Sequence, residues 1–433
     1  MLTRKMKDSG VEWIGEIPEN WEVRKLGNLS NLYTGNSIKD NEKDNYTDNL
    51  NSIPYIATKD VNNNHTINYK NGMYVKEDDL SFKIALKDST LICIEGGSAG
   101  TKIAYLNQDV TFGNKLCAVY SEFVSNEYLY YYILSPCFNN SFNSRITGLI
   151  PGVTLSEMSK IEVVIPPATK QYKIVKALDE KVTKIADLQS ETHQSIEELK
   201  KYKQSLITEA VTKGLYLNVE MKDSGIEWIG NIPEDWKLTR LKFLLKSNLL
   251  YGANESGIPY SPFLPRFIRI TDIVENNKLT SDNKLSLSIE RAENYLLKEG
   301  DILFARSGAS VGKTFLVESQ NTNDAFAGYL IKASFKNNVI SKFVYYYTLS
   351  SAFEAWKNSI KIQSTIQNIG ADKYNNLLLP IPSKYIQQEI VSYLDEQTSR
   401  IDKLIEDKTK LFEELEAYKK SLIYEYVTGE KEV

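Results

Sequence analysis

The chain has 433 residues, 42% of them hydrophobic and 25% charged, with 52 basic and 56 acidic side chains for a net charge of −4. That composition describes an ordinary globular chain of one to three domains and excludes one that coats nucleic acid without sequence preference, because such coating rests on many cation–phosphate contacts. It leaves room for a reader whose basic residues face a single groove.

In chain order, the first feature is MKDSGVEWIGEIPENW at residues 6–21. A mixed region follows, with short β-like runs such as Leu91 to Ile94 bounded by Gly and Ser. The Tyr-rich segment Glu127–Leu134 is compatible with helix or strand. Pro166-Pro167 then stops one element and permits a helix to start. The run 168–213 has no proline, and its first glycine is Gly214, a C-terminal cap. Within it Leu178, Val182, Ile185, Ile196, Leu199 and Leu206 recur at heptad-like spacing, interrupted by Gln189, Thr192 and Lys203. This is a coiled-coil seam.

The chain then starts again. Residues 221–236, MKDSGIEWIGNIPEDW, repeat the opening with 13 of 16 positions identical, at an offset of 215. A second β-like run falls at Ile302 to Ala305, a second Tyr-rich segment at Lys342–Leu349, and a second proline signal at Pro380 and Pro382. A second helix, 384–428, carries Ile401, Ile405, Phe412, Leu415 and Leu422 in the same register, interrupted at Lys419. IVKALDEKVTKI at 174–185 maps onto IVSYLDEQTSRI at 390–401, and EELKKYKQSLITEAVT at 197–212 onto EELEAYKKSLIYEYVT at 413–428, both at offset 216. The intervening halves agree in outline only. Tyr55-Ile56 and Asp60 answer Phe267-Ile268 and Asp272, and LKDSTLICIEGGSAGTK at 86–102 answers LKEGDILFARSGASVGK at 297–313.

The chain is therefore a tandem duplication of a domain plus a long helix. The expected fold is α+β: two mixed domains, 1–167 and 216–382, separated by helices 168–215 and 383–433 that pair as an antiparallel coiled coil about a pseudo-twofold axis. Two similar but non-identical heads suit a target with two non-identical halves.

Few residues point to catalysis. Cys93, Cys117 and Cys137 are odd in number and never spaced C-x-x-C, which fits a reducing, cytoplasmic setting better than a disulfide framework or zinc site. His65 and His193 are far apart and read as surface residues, so no metal or triad is supported. No run approaches the ~18 apolar residues of a membrane span. Gly308 to Thr314 looks like a phosphate loop but is one residue short between its glycines. For DNA reading the candidates are Arg266, Arg269, Arg306 and Lys313, with Lys59, Lys102 and Arg145 as rough counterparts. The second region carries 19 basic and 17 acidic residues against 16 and 20 in the first, so the basic excess lies in the second. Arg can bind guanine O6 and N7 bidentately, and either cation can hold phosphate.

This arrangement resembles the specificity subunit of type I restriction-modification enzymes over essentially the full length. The resemblance rests on the WIGEIPENW and WIGNIPEDW openings, GDILFARSGASVGK, the proline entries followed by Gln171 to Ile174 and Gln387 to Ile390, and the EELxxYKxSLIxExVT helix ends. The first half departs at the central segment, reading DSTLICIEGGSAGTK. The resemblance implies a non-catalytic subunit with two target-recognition domains, each reading one half of a bipartite duplex target. It implies helices that set the spacing and dock two modification (methyltransferase) subunits, with motor-nuclease restriction subunits joining indirectly. No cofactor is expected on this chain: S-adenosylmethionine belongs to the modification subunit, and ATP and magnesium to the motor. The alternatives are a reader for a methylation-only complex and a coiled-coil protein scaffold without DNA contact.

Overall fold

The structure is a computed structural model that describes residues 5–216, 218–274, 276–362 and 368–433, without the side chains of 309, 361 and 362. It divides into two compact units, Met1–His193 with Lys410–Val433, and Gln194–Thr409.

The two proline-free runs form long helices, α1 (Ala168–Lys213) and α2 (Lys384–Thr428). Their entries share one device. Buried Gln171 accepts from Ser125 N at 3.0 Å and donates to Pro166 O at 2.9 Å. Gln387 does the same with Ile340 N at 2.8 Å and Pro382 O at 3.0 Å. Each glutamine thus satisfies backbone groups on both sides of a helix start, where they lack intrahelical partners. Each helix ends at a glycine with positive φ, Gly214 at 80° and Gly429 at 79°. Gly429 is needed twice over, since a Cβ there would come within 2.6 Å of Pro18 and 2.9 Å of Trp21.

In the first unit, the start of α1 runs antiparallel to the end of α2. Lys170 Nζ donates to Val433 O at 3.1 Å and Gln189 Nε2 to Glu416 at 3.1 Å, so numbers rise on one side as they fall on the other. Buried Leu178 and Ile185 and half-buried Val182 share a core with Leu415 and Leu422. In the second unit the end of α1 runs antiparallel to the start of α2. There Lys203 Nζ donates to both Asp402 oxygens at 2.7 Å, and Tyr216 to Glu389 at 3.1 Å. Ile196 and Ile401 are buried, while Leu199, Leu206 and Ile405, with Phe412 in the first unit, are half-buried. Two of the polar interruptions, Gln189 and Lys203, therefore carry inter-helix bonds, while Thr192 donates to Leu188 O of its own helix. A polar seam residue of the first kind fixes register, because a slip would strand its polar group.

Each unit holds a four-stranded antiparallel sheet. In the first it comprises β1 (Asn31–Thr34), β2 (Thr90–Cys93), β3 (Ile103–Tyr105) and β4 (Leu116–Tyr120), in the order β1-β4-β2-β3. In the second, β5 (Leu250–Tyr251), β6 (Ile302–Ala305), β7 (Thr314–Leu316) and β8 (Leu330–Ala333) take the order β5-β8-β6-β7. The central strands Thr90–Cys93 and Ile302–Ala305 are buried throughout, which explains their continuous apolar runs. A parallel pair also recurs, Tyr55-Ile56 with Thr111-Phe112 and Phe267-Ile268 with Ala325-Phe326. The repeated openings form hairpins that bury Ile14, Ile17 and Trp21 in one unit and Ile229, Ile232 and Trp236 in the other.

The Tyr-rich segments are helices, Asn126–Leu134 and Ser341–Thr348. Their tyrosines tie each domain to the helix that follows it. Tyr131 donates to Asp179 at 2.6 Å and Tyr346 to Asp395 at 2.5 Å, while Tyr132 and Tyr347 donate to the carbonyls of Glu162 and Leu378, each at 3.0 Å.

The last turns of α2 lie inside the first unit's core: Leu422, Ile423, Tyr426 and Val427 are buried there, and Tyr128 donates to Val427 O at 3.2 Å. Leu422→Ala should lower stability by about 2–5 kcal/mol, as a buried Leu→Ala change does. Leu188→Ala, on an exposed helix face, should change it little. Thermal unfolding of the two variants checks this.

Candidate nucleic-acid interface

The seven basic candidates fall into different environments. Exposed Lys59 lies on a single 3-10 turn, Thr58–Asp60, whose Asp60 accepts from Ala57 N at 2.9 Å. Lys102 reaches the same turn, donating to Thr58 O at 2.8 Å. These two are brought together. Arg145 is not with them: it donates to Ser141 O at 2.8 Å and pairs with Glu162 at 3.3 Å.

In the second unit the matching turn is Ile270–Asp272. Here Arg269 is engaged internally, bonding Asp272 Oδ1 at 2.7 Å and Oδ2 at 3.2 Å, and Asn283 O at 2.9 Å. Arg266 donates to Thr280 O at 2.6 Å. Lys313 is exposed and lines a cleft of about 650 Å³ with Lys203, Asn276, Tyr345 and Asp402. Arg306 lies with its Cζ 5.0 Å from the centre of the Tyr251 ring, and no described residue accepts a hydrogen bond from its buried Nε.

The backbone corrects the correspondence between the halves. Laying 86–102 on 297–313 without a gap places Glu95 opposite Arg306. In the sheets, however, Ile94 N donates to Lys115 O as Arg306 N donates to Tyr329 O, and Ile94 O accepts from Val153 as Arg306 O accepts from Ile369. Ile94 is thus the counterpart of Arg306. Lys102 remains the counterpart of Lys313, since their carbonyls accept from Cys93 N and Ala305 N at the matching ladder step. The first loop holds one extra residue, which the turn absorbs.

Gly308 to Thr314 forms one 3-10 turn, Gly308–Ser310, and passes straight into β7. A phosphate loop instead opens a helix whose N-terminus faces the anion, so the resemblance is one of letters. His65 also departs from the surface reading. It is half-buried, with Nδ1 3.0 Å from Ile103 O, and burial followed by the charge of Lys419 holds its pKa below 6.5. His193 is exposed. Sequence reasoning did not single out Tyr251, Tyr329 or Asn368, which surround Arg306. Tyrosine is abundant throughout, and only the sheet brings these three to one place.

The sequence profile of the type I restriction modification DNA specificity domain matches residues 18–198 and again residues 233–416. The chain belongs to this family, whose role is to give a restriction-modification system its DNA sequence specificity. It is 25% identical over 432 residues to the MjaVIII specificity subunit of Methanocaldococcus jannaschii, covering 95% of this chain and 93% of that one. It is 21% identical over 423 residues to the EcoBI specificity subunit of Escherichia coli, covering 93% and 84%. Its fold is similar to that of a chain in a solved structure of the type I R-M system, with a TM-score of 0.71 at 15% identity, covering 96% of this chain and 99% of that chain. Among the described residues, no helix is long and apolar enough to cross a membrane.

Because Asp272 is 1% exposed, losing its guanidinium partner leaves the buried carboxylate with only the hydrogen bond from the Arg269 backbone N–H at 2.8 Å. Arg269→Ala should therefore cost about 1–3 kcal/mol of stability while leaving the DNA sequence preference unchanged. Thermal unfolding, paired with sequencing of methylated sites, separates the two effects.

Proposed function

We propose that this chain is the non-catalytic reading subunit of a type I restriction-modification complex, each domain recognising one half of a bipartite duplex target. The observation that carries this reading is the duplication itself. Two copies of one scaffold keep the four-stranded antiparallel sheet, the parallel pair, the helix entries and the Tyr–Asp ties, yet their loop ends differ in charge and shape. Identical scaffolds with different rims are what two different half-sites require.

The candidate basic side chains without a partner among the described residues, Lys59, Arg306 and Lys313, are the ones that contact DNA in this reading. Lys102, Arg145, Arg266 and Arg269 shape the loops around them. The paired helices set the spacing of the half-sites and dock two modification subunits, which supply S-adenosylmethionine chemistry; motor-nuclease subunits join through that assembly. The complex works in the cytoplasm, on DNA entering or resident in the cell.

Two outcomes are expected. The purified chain with S-adenosylmethionine should neither methylate nor cut DNA; methyl transfer by the chain alone would refute the non-catalytic reading. Replacing residues of about 22–165 with the equivalent domain of another family member should change one half-site and preserve the other. Sequencing of methylated bases in a host expressing the hybrid with its partners reads this directly, and simultaneous change of both half-sites contradicts the two-reader scheme.

A further inference from the structure

We propose that Arg306 reads a guanine in the half-site recognised by the second domain, with Tyr251 as the platform that fixes the plane of its guanidinium. This rests on the DNA-reading role proposed above and adds the residue, the base and the half-site.

Arg306 follows β6 and is held by backbone on both sides. Its N–H donates to Tyr329 O at 3.0 Å, and its carbonyl accepts from Ile369 N at 2.8 Å. The next residue, Ser307, bridges to Asn368. The Cα of Arg306 is therefore locked between a strand and the 368–371 segment. The side chain is positioned as firmly. The guanidinium carbon lies 5.0 Å from the Tyr251 ring centre, and Tyr251 Oη accepts from Ala371 N at 2.9 Å, pinning the ring. Tyr251 is 40% exposed and Tyr329 61%, so this is a surface site rimmed by aromatic rings, with exposed Asn368 beside it.

No donor of this guanidinium has an acceptor among the described residues, whereas Arg145, Arg266 and Arg269 each spend at least one terminal nitrogen on a neighbouring carbonyl or carboxylate. A pre-oriented planar fork with unspent donors matches the O6 and N7 pair of guanine. A phosphate can be held by a point charge such as lysine, without a fixed plane, whereas a base edge is read only by donors that lie in its plane. The aromatic platform therefore favours the base over the backbone.

The first domain supplies the contrast. On the shared ladder, Arg306 is answered by buried Ile94 and Tyr329 by Lys115. Tyr251, paired with Ile331 ahead of Gly252, is answered by Thr34, paired with Cys117 ahead of Gly35. Lys115 is itself paired with Glu95 at 3.8 Å. The same backbone site thus carries a half-buried arginine held against a ring in one domain and an apolar core residue in the other, so the guanine reader belongs to one half-site only.

The test is sequencing of methylated bases in hosts expressing the full chain with the modification subunits of its complex. Wild type should show a bipartite motif with an invariant guanine in the second-domain half-site, identified by the domain exchange above. Arg306→Ala and Arg306→Lys should relax that one position, lowering discrimination roughly 5- to 150-fold, the range of a lost bidentate base contact. Tyr251→Leu should relax the same position with Arg306 intact, and Tyr251→Phe, which keeps the ring but loses its tie to Ala371 N, should relax it less than Tyr251→Leu does. The inference is overturned if the arginine variants keep the motif unchanged. It is equally overturned if they reduce methylation evenly at every site with a shallower salt dependence, the mark of a phosphate contact. A wild-type motif that is bipartite but lacks guanine at the relaxed position sinks the inference alone; a wild type without a bipartite motif sinks the DNA-reading role as well. Should Arg306→Ala fail to fold, the Lys and Tyr251 variants still decide.

Discussion

The first unit cannot close its core without the end of the chain. Leu422, Ile423, Tyr426 and Val427 pack among Ile14, Ile17, Trp21 and Tyr128, residues drawn from the opening hairpin and the Tyr-rich helix. In the second unit Ile207, Ala210 and Val211 of α1 occupy the same role against Ile229, Ile232 and Trp236. Each domain is thus completed by the tail of the helix belonging to the other copy. Burial of this kind is cooperative: an exposed helix end of four apolar side chains and an open core are both unfavourable, and joining them relieves both. The duplication and the antiparallel pairing follow from that exchange, because only antiparallel helices bring each tail to the other copy's opening motif.

This explains why the openings and the helix ends have stayed alike while the centres have diverged. WIGEIPENW and WIGNIPEDW supply the apolar floor that receives a helix end, and Gly214 and Gly429 let the chain leave it at close range. Gln171 and Gln387 seal the helix starts. A change in either half of such a fit opens a cavity or leaves a buried polar group unpaired. The loop ends of the sheets carry no such constraint. There one ladder position accepts Ile94 in one copy and Arg306 in the other, since strand bonds involve only the backbone.

Much of the architecture was legible before any coordinates. Helix 168–213 and helix 384–428 stand out because heptad spacing, proline entries and glycine exits all point the same way. The duplication is plain from letters alone. The Tyr-rich segments were ambiguous, because consecutive tyrosines have no periodicity to distinguish helix from strand. In the first, helix wins because Ser125 caps the first turn and Asp179 accepts the Tyr131 hydroxyl from outside the segment; in the second, Asp395 accepts the Tyr346 hydroxyl in the same way.

What the sequence by itself determined, then, is the order of parts: two domains, two helices, one family, and a short list of basic residues. Only the tertiary structure decided which of those residues hold the protein together and which are left for a ligand. Arg269 and Arg306 have the same charge and similar surroundings in the chain, yet one is consumed by buried Asp272 and the other is held against Tyr251 with no acceptor among the described residues. The reason is physical. A hydrogen-bond partner or a stacking ring is a property of the space around a side chain, and here Tyr251, Tyr329 and Asn368 enter that space from segments far apart in sequence.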